Sequence, residues 1–451
     1  MLMFMLVRPQ DLNPALAPQL PTLNTLALLA VVGWILDVRR LNSRSNPPPS
    51  LSMVGLYMTW CLISLLPNRP DTLTGALLSL FVIFLVYFVI AFGCQSFRKL
   101  GVVAVAYLVG GLFITFVVLG QGFGPMQCFE SDPRSVGSFE ELRPDGRPCE
   151  TALQCRGEDA EPGKSYLCNK LGPFQTSAVG VRVRYVGRLN DPNETSLAVA
   201  LIAPIAMALY ELRRTLRRWL LMMGTILGVA LAVYFSQSRG GQLVFAAVFA
   251  TYLYRTSGIK GLIVAGLMAM PLMLFGGRSG DEAEESSQER LECWLTGMEL
   301  FRASPIYGIG AYRFTDHHFL TAHNSYVLAV AETGFVGIWL FIGILYASGK
   351  SLVMGLQLAD DGSATDYPRH TWGSALLAAF IGTVVGIFFL SFAYHFVLWT
   401  FLGICGAYYG AVKAHRPDFV VRLKRLDLYA ITAITLFVVA ALYFYTKYKA
   451  R

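Results

Sequence analysis

Residues 75–92 read GALLSLFVIFLVYFVIAF, eighteen residues with no charge. A bilayer core takes about 20 apolar residues to cross as helix, and a surface helix or half-buried strand would interleave polar side chains. The run therefore reads as a membrane span. Comparable blocks recur on both sides of it, at about 20–36, 51–66, 100–119, 195–210, 219–235, 243–254, 262–275, 325–347, 372–393, 396–412 and 428–445. The whole chain agrees: 451 residues, 55% hydrophobic, 15% charged, mean hydropathy +0.51. An ordinary soluble domain carries about 25% charged residues, so this chain has too few to coat two or three soluble domains. The fold expected is an all-α polytopic membrane protein of about twelve spans. Soluble, fibrous and barrel classes are excluded.

The net charge of +8 reflects the positive-inside bias rather than a nucleic-acid partner. Arg39, Arg40 and Arg44; Arg98 and Lys99; Arg213, Arg214, Arg217 and Arg218; Arg255 and Lys260; and Lys413 to Arg425 mark five short connectors. With twelve spans all five fall on one side, which is cytoplasmic; the tail, Lys447, Lys449 and Arg451, is the exception. The opening seven residues are apolar but too short for a span or a complete signal peptide. The chain then divides into N-terminal spans (1–119), a cysteine-containing outer loop (120–191), central spans (192–275), a second outer loop (276–324) and C-terminal spans (325–451). Kinks are expected at Pro204 and Pro271, which fall inside spans.

The first outer loop holds Cys128, Cys149, Cys155 and Cys168. Outside the membrane four such residues read as two disulfides, with three pairings open. Zinc is the rival, but the loop has no histidine and no CxxC spacing. Cys61, Cys94 and Cys405 sit in apolar spans and read as packing residues. The loop ends in Asp191-Pro192-Asn193-Glu194, whose Asp, Pro and Glu suit the N-cap, N1 and N3 of a helix. In the second loop Ser286 and Glu289 form a capping box, and Leu291, Trp294, Leu295 and Met298 recur at helical spacing, predicting an amphipathic helix.

Charges at the outer membrane surface carry the chemistry. Arg239 stands in the tight turn Ser238-Arg239-Gly240-Gly241. It reads as a snorkelling arginine or as an anion ligand, since flanking glycines allow close approach. Arg290 has Ser286, Ser287, Cys293 and Trp294 at the three- and four-residue positions, none acidic; the alternative is a solvated surface arginine. Arg182, Arg184 and Arg188 share one face if their segment is extended. Guanidiniums beside a membrane suit a lipid diphosphate, whose oxygens they bind in pairs. His323 lies where polar loop becomes apolar helix, with Gly334 and Gly337 eleven and fourteen residues on. That spacing places both glycines roughly below the histidine, where small residues admit a neighbouring helix or a lipid tail. A structural or metal-binding histidine is the alternative, but no second histidine follows at i+4 and there is no HExxH pattern. Gly308-Ile309-Gly310 reads as a turn, not a nucleotide motif.

His323-Asn324, nine residues, then Gly334-Phe335-Val336-Gly337 resembles the hallmark of the O-antigen ligase and O-antigen polymerase superfamily of bacterial envelope glycosyltransferases. The Ser238-Arg239-Gly240 turn, the Arg290 to Trp294 helix, the Pro305 to Gly310 turn and Asp191-Pro192-Asn193 are similar to that family as well. The cysteine-rich loop is not part of its pattern. The resemblance implies a C-type glycosyltransferase architecture in the bacterial inner membrane, with its site facing the periplasm. It implies a donor glycan on undecaprenyl diphosphate and an inverting reaction that needs no metal or cofactor. His323 is then the essential histidine, Asn324, Gly334 and Gly337 the supporting motif, and Arg239 and Arg290, with Arg184 and Arg188, the diphosphate ligands.

That chemistry suits the residues. A diphosphate leaves as a stable anion that arginines stabilise. A sugar hydroxyl is a poor nucleophile and gains from a base that titrates near neutrality, as histidine does. The expected function is ligation of a glycan to an acceptor such as lipid A–core. The alternative is a polymerase, whose acceptor is another lipid-linked repeat unit. A transporter of lipid-linked sugars would place charges deep in several spans, and almost none are found.

Overall fold

In a computed structural model, residues 2–12, 23–41, 46–131, 142–156, 164–186, 189–277 and 280–449 are described. The helices before the first outer loop are α1 (Leu2–Val7), α2 (Pro9–Leu12), α3 (Leu23–Leu41), α4 (Leu51–Leu65), α5 (Leu73–Gly93) and α6 (Phe97–Gly122). Three strands follow: β1 (Met126–Ser131), β2 (Arg143–Pro148) and β3 (Ser165–Lys170). Then come α7 (Pro192–Ala200), α8 (Ala203–Leu212), α9 (Leu216–Ser236), α10 (Arg239–Phe275) and α11 (Asp281–Ala303). The last helices are α12 (Ser325–Gln357), α13 (Asp366–Gly386), α14 (Phe396–His415) and α15 (Arg425–Lys449).

The protein is a mostly helical, polytopic membrane protein. Eight helical stretches among the described residues are long and apolar enough to cross a bilayer: Pro70–Gly93, Phe97–Gly122, Pro192–Leu212, Leu216–Ser236, Arg239–Phe275, Ser325–Gln357, Phe396–His415 and Arg425–Lys449. The sequence-based count of twelve added α3, the 15-residue α4 and α13, and divided α10 into two. In the structure 243–254 and 262–275 are two helical stretches within 239–275, on either side of a non-helical break at Gly258 (φ 60°, ψ −143°), as that division expects. The break sits there and not at Pro271, which lies inside helical backbone. Pro204 behaves as expected: it opens α8, and the chain breaks between α7 and α8 just before it.

The chain forms two compact units. One comprises 22–105 and 279–451, the other 2–21 and 106–278. In the first, α12 and α14 are interior, buried over 83% and 94% of their most apolar stretches, while α15 at 17% lies at the surface. α14 packs on α5 at Gly403, where a side chain would press on Ile90 and the Tyr87 carbonyl. One end of this unit carries the α4–α5 turn, the α11–α12 loop and the α13–α14 loop, linked by Asn68 Nδ2 to Gly308 O (3.0 Å) and Ser391 Oγ to Thr321 Oγ1 (3.0 Å). The opposite end carries the α12–α13 and α14–α15 connectors. There buried Arg369 donates to Asp360, Asp366 and two carbonyls, and Arg416 pairs with Asp361. The His370 hydrogen bond holds the Asp360 carboxyl below the usual range and the Ser363 hydrogen bonds do the same for Asp361, with Arg369 and Arg416 adding smaller charge effects.

In the second unit the cysteine loop folds as an antiparallel sheet of order β2-β1-β3. Cys128 and Cys168 are opposite one another on β1 and β3, yet the disulfides are Cys128–Cys155 and Cys149–Cys168. The sulfurs of Cys128, Cys149 and Cys155 lie within 4.8 Å of one another, a metal-like spacing, but each is bonded to sulfur.

Candidate functional site

α12 begins at an elaborate junction. Asn324 is its N-cap, its side-chain oxygen accepting from Tyr326 N (2.9 Å) and Val327 N (3.1 Å). Ser325 N donates to Ile387 O, and Ser325 Oγ donates to Leu390 O and accepts from Phe392 N. The helix start is thus sewn to the α13–α14 loop, with its first N–H groups occupied. His323, the residue before the cap, has φ 47°, in the left-handed region that non-glycine residues seldom adopt. It is half-buried, between buried Ala322 and buried Asn324.

Of the two motif glycines, Gly337 meets a neighbouring helix as expected, at Trp60 of α4, but Gly334 does a different job. Gly334 has φ 64° and ψ −165°, a break inside α12. What approaches it is neither helix nor lipid but the Pro305–Gly310 backbone. A side chain at Gly334 would collide with the Ile306 carbonyl, and one at Gly308 with the backbone of Glu332 and Thr333. The break frees backbone groups that this loop satisfies: Ile309 N donates to Ala331 O (3.0 Å), Gly310 N to Glu332 O (2.9 Å), and Phe335 N to Pro305 O (2.8 Å). Trp60 Nε1 takes the Thr333 carbonyl (2.8 Å). Gly337, one turn on, faces Thr333 and Trp60. The Gly308/Gly310 turn and the Gly334/Gly337 pair are therefore two halves of one joint.

Glu332 is the residue that sequence reasoning missed. Its carboxyl oxygens accept from Tyr312 N (2.9 Å) and Phe314 N (2.8 Å), and the side chain is buried. A lone acidic residue in an apolar span was the available signal. Around it lie the Tyr57, Tyr312 and Tyr394 rings, with Tyr312 and Tyr394 4.5 Å apart.

α11 starts at Asp281, five residues before the proposed capping box. Its N-cap is Gly280, which makes no side-chain cap. The Asp281-Glu282-Ala283-Glu284-Glu285 run explains the extension, since acidic residues favour the first turn of a helix. Trp294 and Met298 are buried and Leu291 and Leu295 half-buried, so the expected amphipathic face is the packed one. Gly297 lets α11 close on Val327 of α12. Arg290 is half-buried two turns before it. Cys293 Sγ stands 3.7 Å from His318 Nδ1; burial, with Glu289 and Glu292 nearby, pushes its thiol up to about 11. His317 is exposed and His318 half-buried in the same loop.

In the second unit two motifs also meet. Asp191 caps α7, accepting from Asn193 N, and Pro192 takes N1, as the spacing predicts. Ser238 caps α10 and donates to Asn193 Oδ1 (2.6 Å), while Ser196 Oγ donates to Ser236 Oγ (2.7 Å). Gly241 is pressed against Ser196, so the Ser238-Arg239-Gly240-Gly241 turn is fastened to the start of α7 with the Arg239 side chain exposed. Arg182 donates to the Ser236 carbonyl and Arg184 to Ser177 and Asn190, contacts that tie the loop down. Arg188 lies outside the described residues.

Residues 224–342 match a family model described as O-antigen ligase, a segment that takes in Arg239, Arg290, His323, Asn324, Gly334 and Gly337. No curated protein matches the chain. Over that segment the chain is similar to the O-antigen ligase family.

Proposed function

We propose that the protein transfers a glycan from an undecaprenyl-diphosphate carrier to an acceptor hydroxyl, as on lipid A–core, at the periplasmic face of the bacterial inner membrane. The carrying observation is the α12 junction: a histidine in left-handed backbone, flanked by a buried cap and braced by the Gly308–Gly334 joint, inside the matched segment. Such bracing is what a group that must meet a substrate hydroxyl requires. His323 takes the hydroxyl proton as the oxygen attacks the anomeric carbon from the face opposite the diphosphate. The carbon–oxygen bond to the diphosphate breaks with inversion, and the proton passes from His323 to solvent. The leaving group departs already ionised, so no strong acid is needed; Arg290 and, on the chemistry of its glycine-flanked turn, Arg239 receive its charge. The reading needs neither metal nor cofactor. Two disulfides in the first outer loop support an oxidising compartment on that side.

The test offers purified protein a lipid-linked glycan together with lipid A–core and, separately, a second lipid-linked unit. Glycosylated lipid A–core is the expected product. Elongated carrier glycan alone would make it a polymerase, and transfer to neither would overturn the reading.

A further inference from the structure

The loop that leads into His323 has no disulfide among its described residues, so its geometry depends on what it docks against. Three stretches of it touch the interior of the first unit. Pro305–Gly310 closes the α12 break, as described. Ala311 N donates to Ser64 Oγ of α4 (3.3 Å). Tyr312 N and Phe314 N both go to the Glu332 carboxyl. The last contact is the pivotal one. Phe314 then passes the order on: its carbonyl accepts from His317 N (3.0 Å) and His318 N (3.2 Å), and its buried ring lies against Gly297 of α11. Gly297 follows Arg290 by two helical turns, on the same side of α11. Tyr312, at φ 63°, turns the chain at this clamp in backbone that a tyrosine does not choose unaided.

We propose that Glu332 is a positioning residue: by holding Tyr312 and Phe314 it sets where the Arg290 helix and the segment ending in His323 stand. The inference rests on the transferase reading above. Only a side chain with two acceptor oxygens serves both N–H groups. Glutamine keeps one acceptor and presents an NH2 to the other donor, leaving a buried amide unpaired. Aspartate keeps both oxygens but is one methylene short.

The experiment compares purified full-length Glu332→Gln and Glu332→Asp with the parent protein. It reads kcat and donor KM per folded molecule, and labelling of Cys293 by a maleimide located by peptide mass mapping. Cys293 is fully buried beside His318 and reports the loop without reference to catalysis. Glu332→Gln is expected to stay folded, lose about 10–100-fold in kcat with a smaller change in KM, and label about tenfold faster at Cys293. Glu332→Asp should recover part of both. Parental kcat with Cys293 still protected would overturn the proposal. So would loss of folded protein in both variants with unchanged activity per folded molecule. His323→Ala separates the two readings: if it keeps turnover the base assignment falls, while the Cys293 readout still decides whether Glu332 positions the loop.

Discussion

Two polar connectors that the sequence assigns to the same side of the membrane are made rigid in opposite ways. The strand-bearing loop of the second unit has a buried cluster made of its four half-cystines and Tyr166, with Arg147 5.0 Å over the tyrosine ring. β2, Arg-Pro-Asp-Gly-Arg-Pro, is mostly exposed and supplies almost no apolar surface. A segment that small cannot stabilise itself by burial, and cross-links replace a core. The α11–α12 loop of the first unit uses none. It borrows rigidity from a broken interior helix whose freed carbonyls and one buried carboxyl bind its backbone. A covalent staple tolerates exchange of its surroundings. A docked loop is only as well placed as the helix beneath it, so its sensitive positions lie in α12.

That contrast is open to attack. The largest effect is expected at Gly334. Any side chain there meets the Ile306 carbonyl in addition to a left-handed φ, so Gly334→Val should cost about 3–5 kcal/mol, from strain and overpacking together. It should lower the melting temperature and expose amides of 304–324 to exchange, leaving strands β1 and β3 protected. Next comes the staple. Replacing Cys128 and Cys155 together by serine should cost the sheet about 2–4 kcal/mol, seen as proteolysis within 126–170. Amide protection across 304–324 should not change; an equal fall there would erase the distinction between the two connectors.

Smaller effects test the charges. Arg290→Ala and Arg239→Ala should each lower use of limiting donor by roughly 10–150-fold, the equivalent of about 1.5–3 kcal/mol for a charge-assisted bond. Lysine should restore part of that, lacking the planar fork. Normal donor use in both alanine variants would remove arginines from the diphosphate. The smallest effect concerns Cys293. With its thiol raised to about 11, it remains protonated at pH 8 and should alkylate far more slowly than an exposed cysteine, gaining reactivity only as pH approaches 11.

Much of the architecture could be read without coordinates because the bilayer leaves little choice: an uncharged run such as 75–92 is a helix wherever it packs. The α7 cap was legible too, since Asp191, Pro192 and Glu194 act within one turn. Longer-range features were not. Strands β1 to β3 are six residues each, β2 with two prolines, and their pairing joins segments far apart in the chain. In α10 the break falls at Gly258, between the two blocks that the sequence divides, but Pro271, where a kink is expected, is accommodated. At the site, His323, Asn324, Gly334 and Gly337 stand out in the sequence, but the partner of each does not. Gly334 reads as a small residue on a helix face until the Ile306 backbone is seen against it. Glu332 reads as an anomaly until Tyr312 and Phe314, twenty and eighteen residues earlier, are found at its oxygens.

The central claim is that His323 accepts the acceptor's proton. The most direct measurement is single-site turnover of purified His323→Ala and His323→Gln at saturating donor and acceptor, with donor binding measured alongside. A positioned base contributes about 10²–10⁴ in rate, so both variants should bind donor normally and lose that much turnover. The basic group in the parental pH–rate profile should disappear, and His317→Ala should match the parent. Glutamine hydrogen-bonds but takes no proton near neutrality; if His323→Gln keeps most of the turnover, the histidine only orients the acceptor and the claim is contradicted.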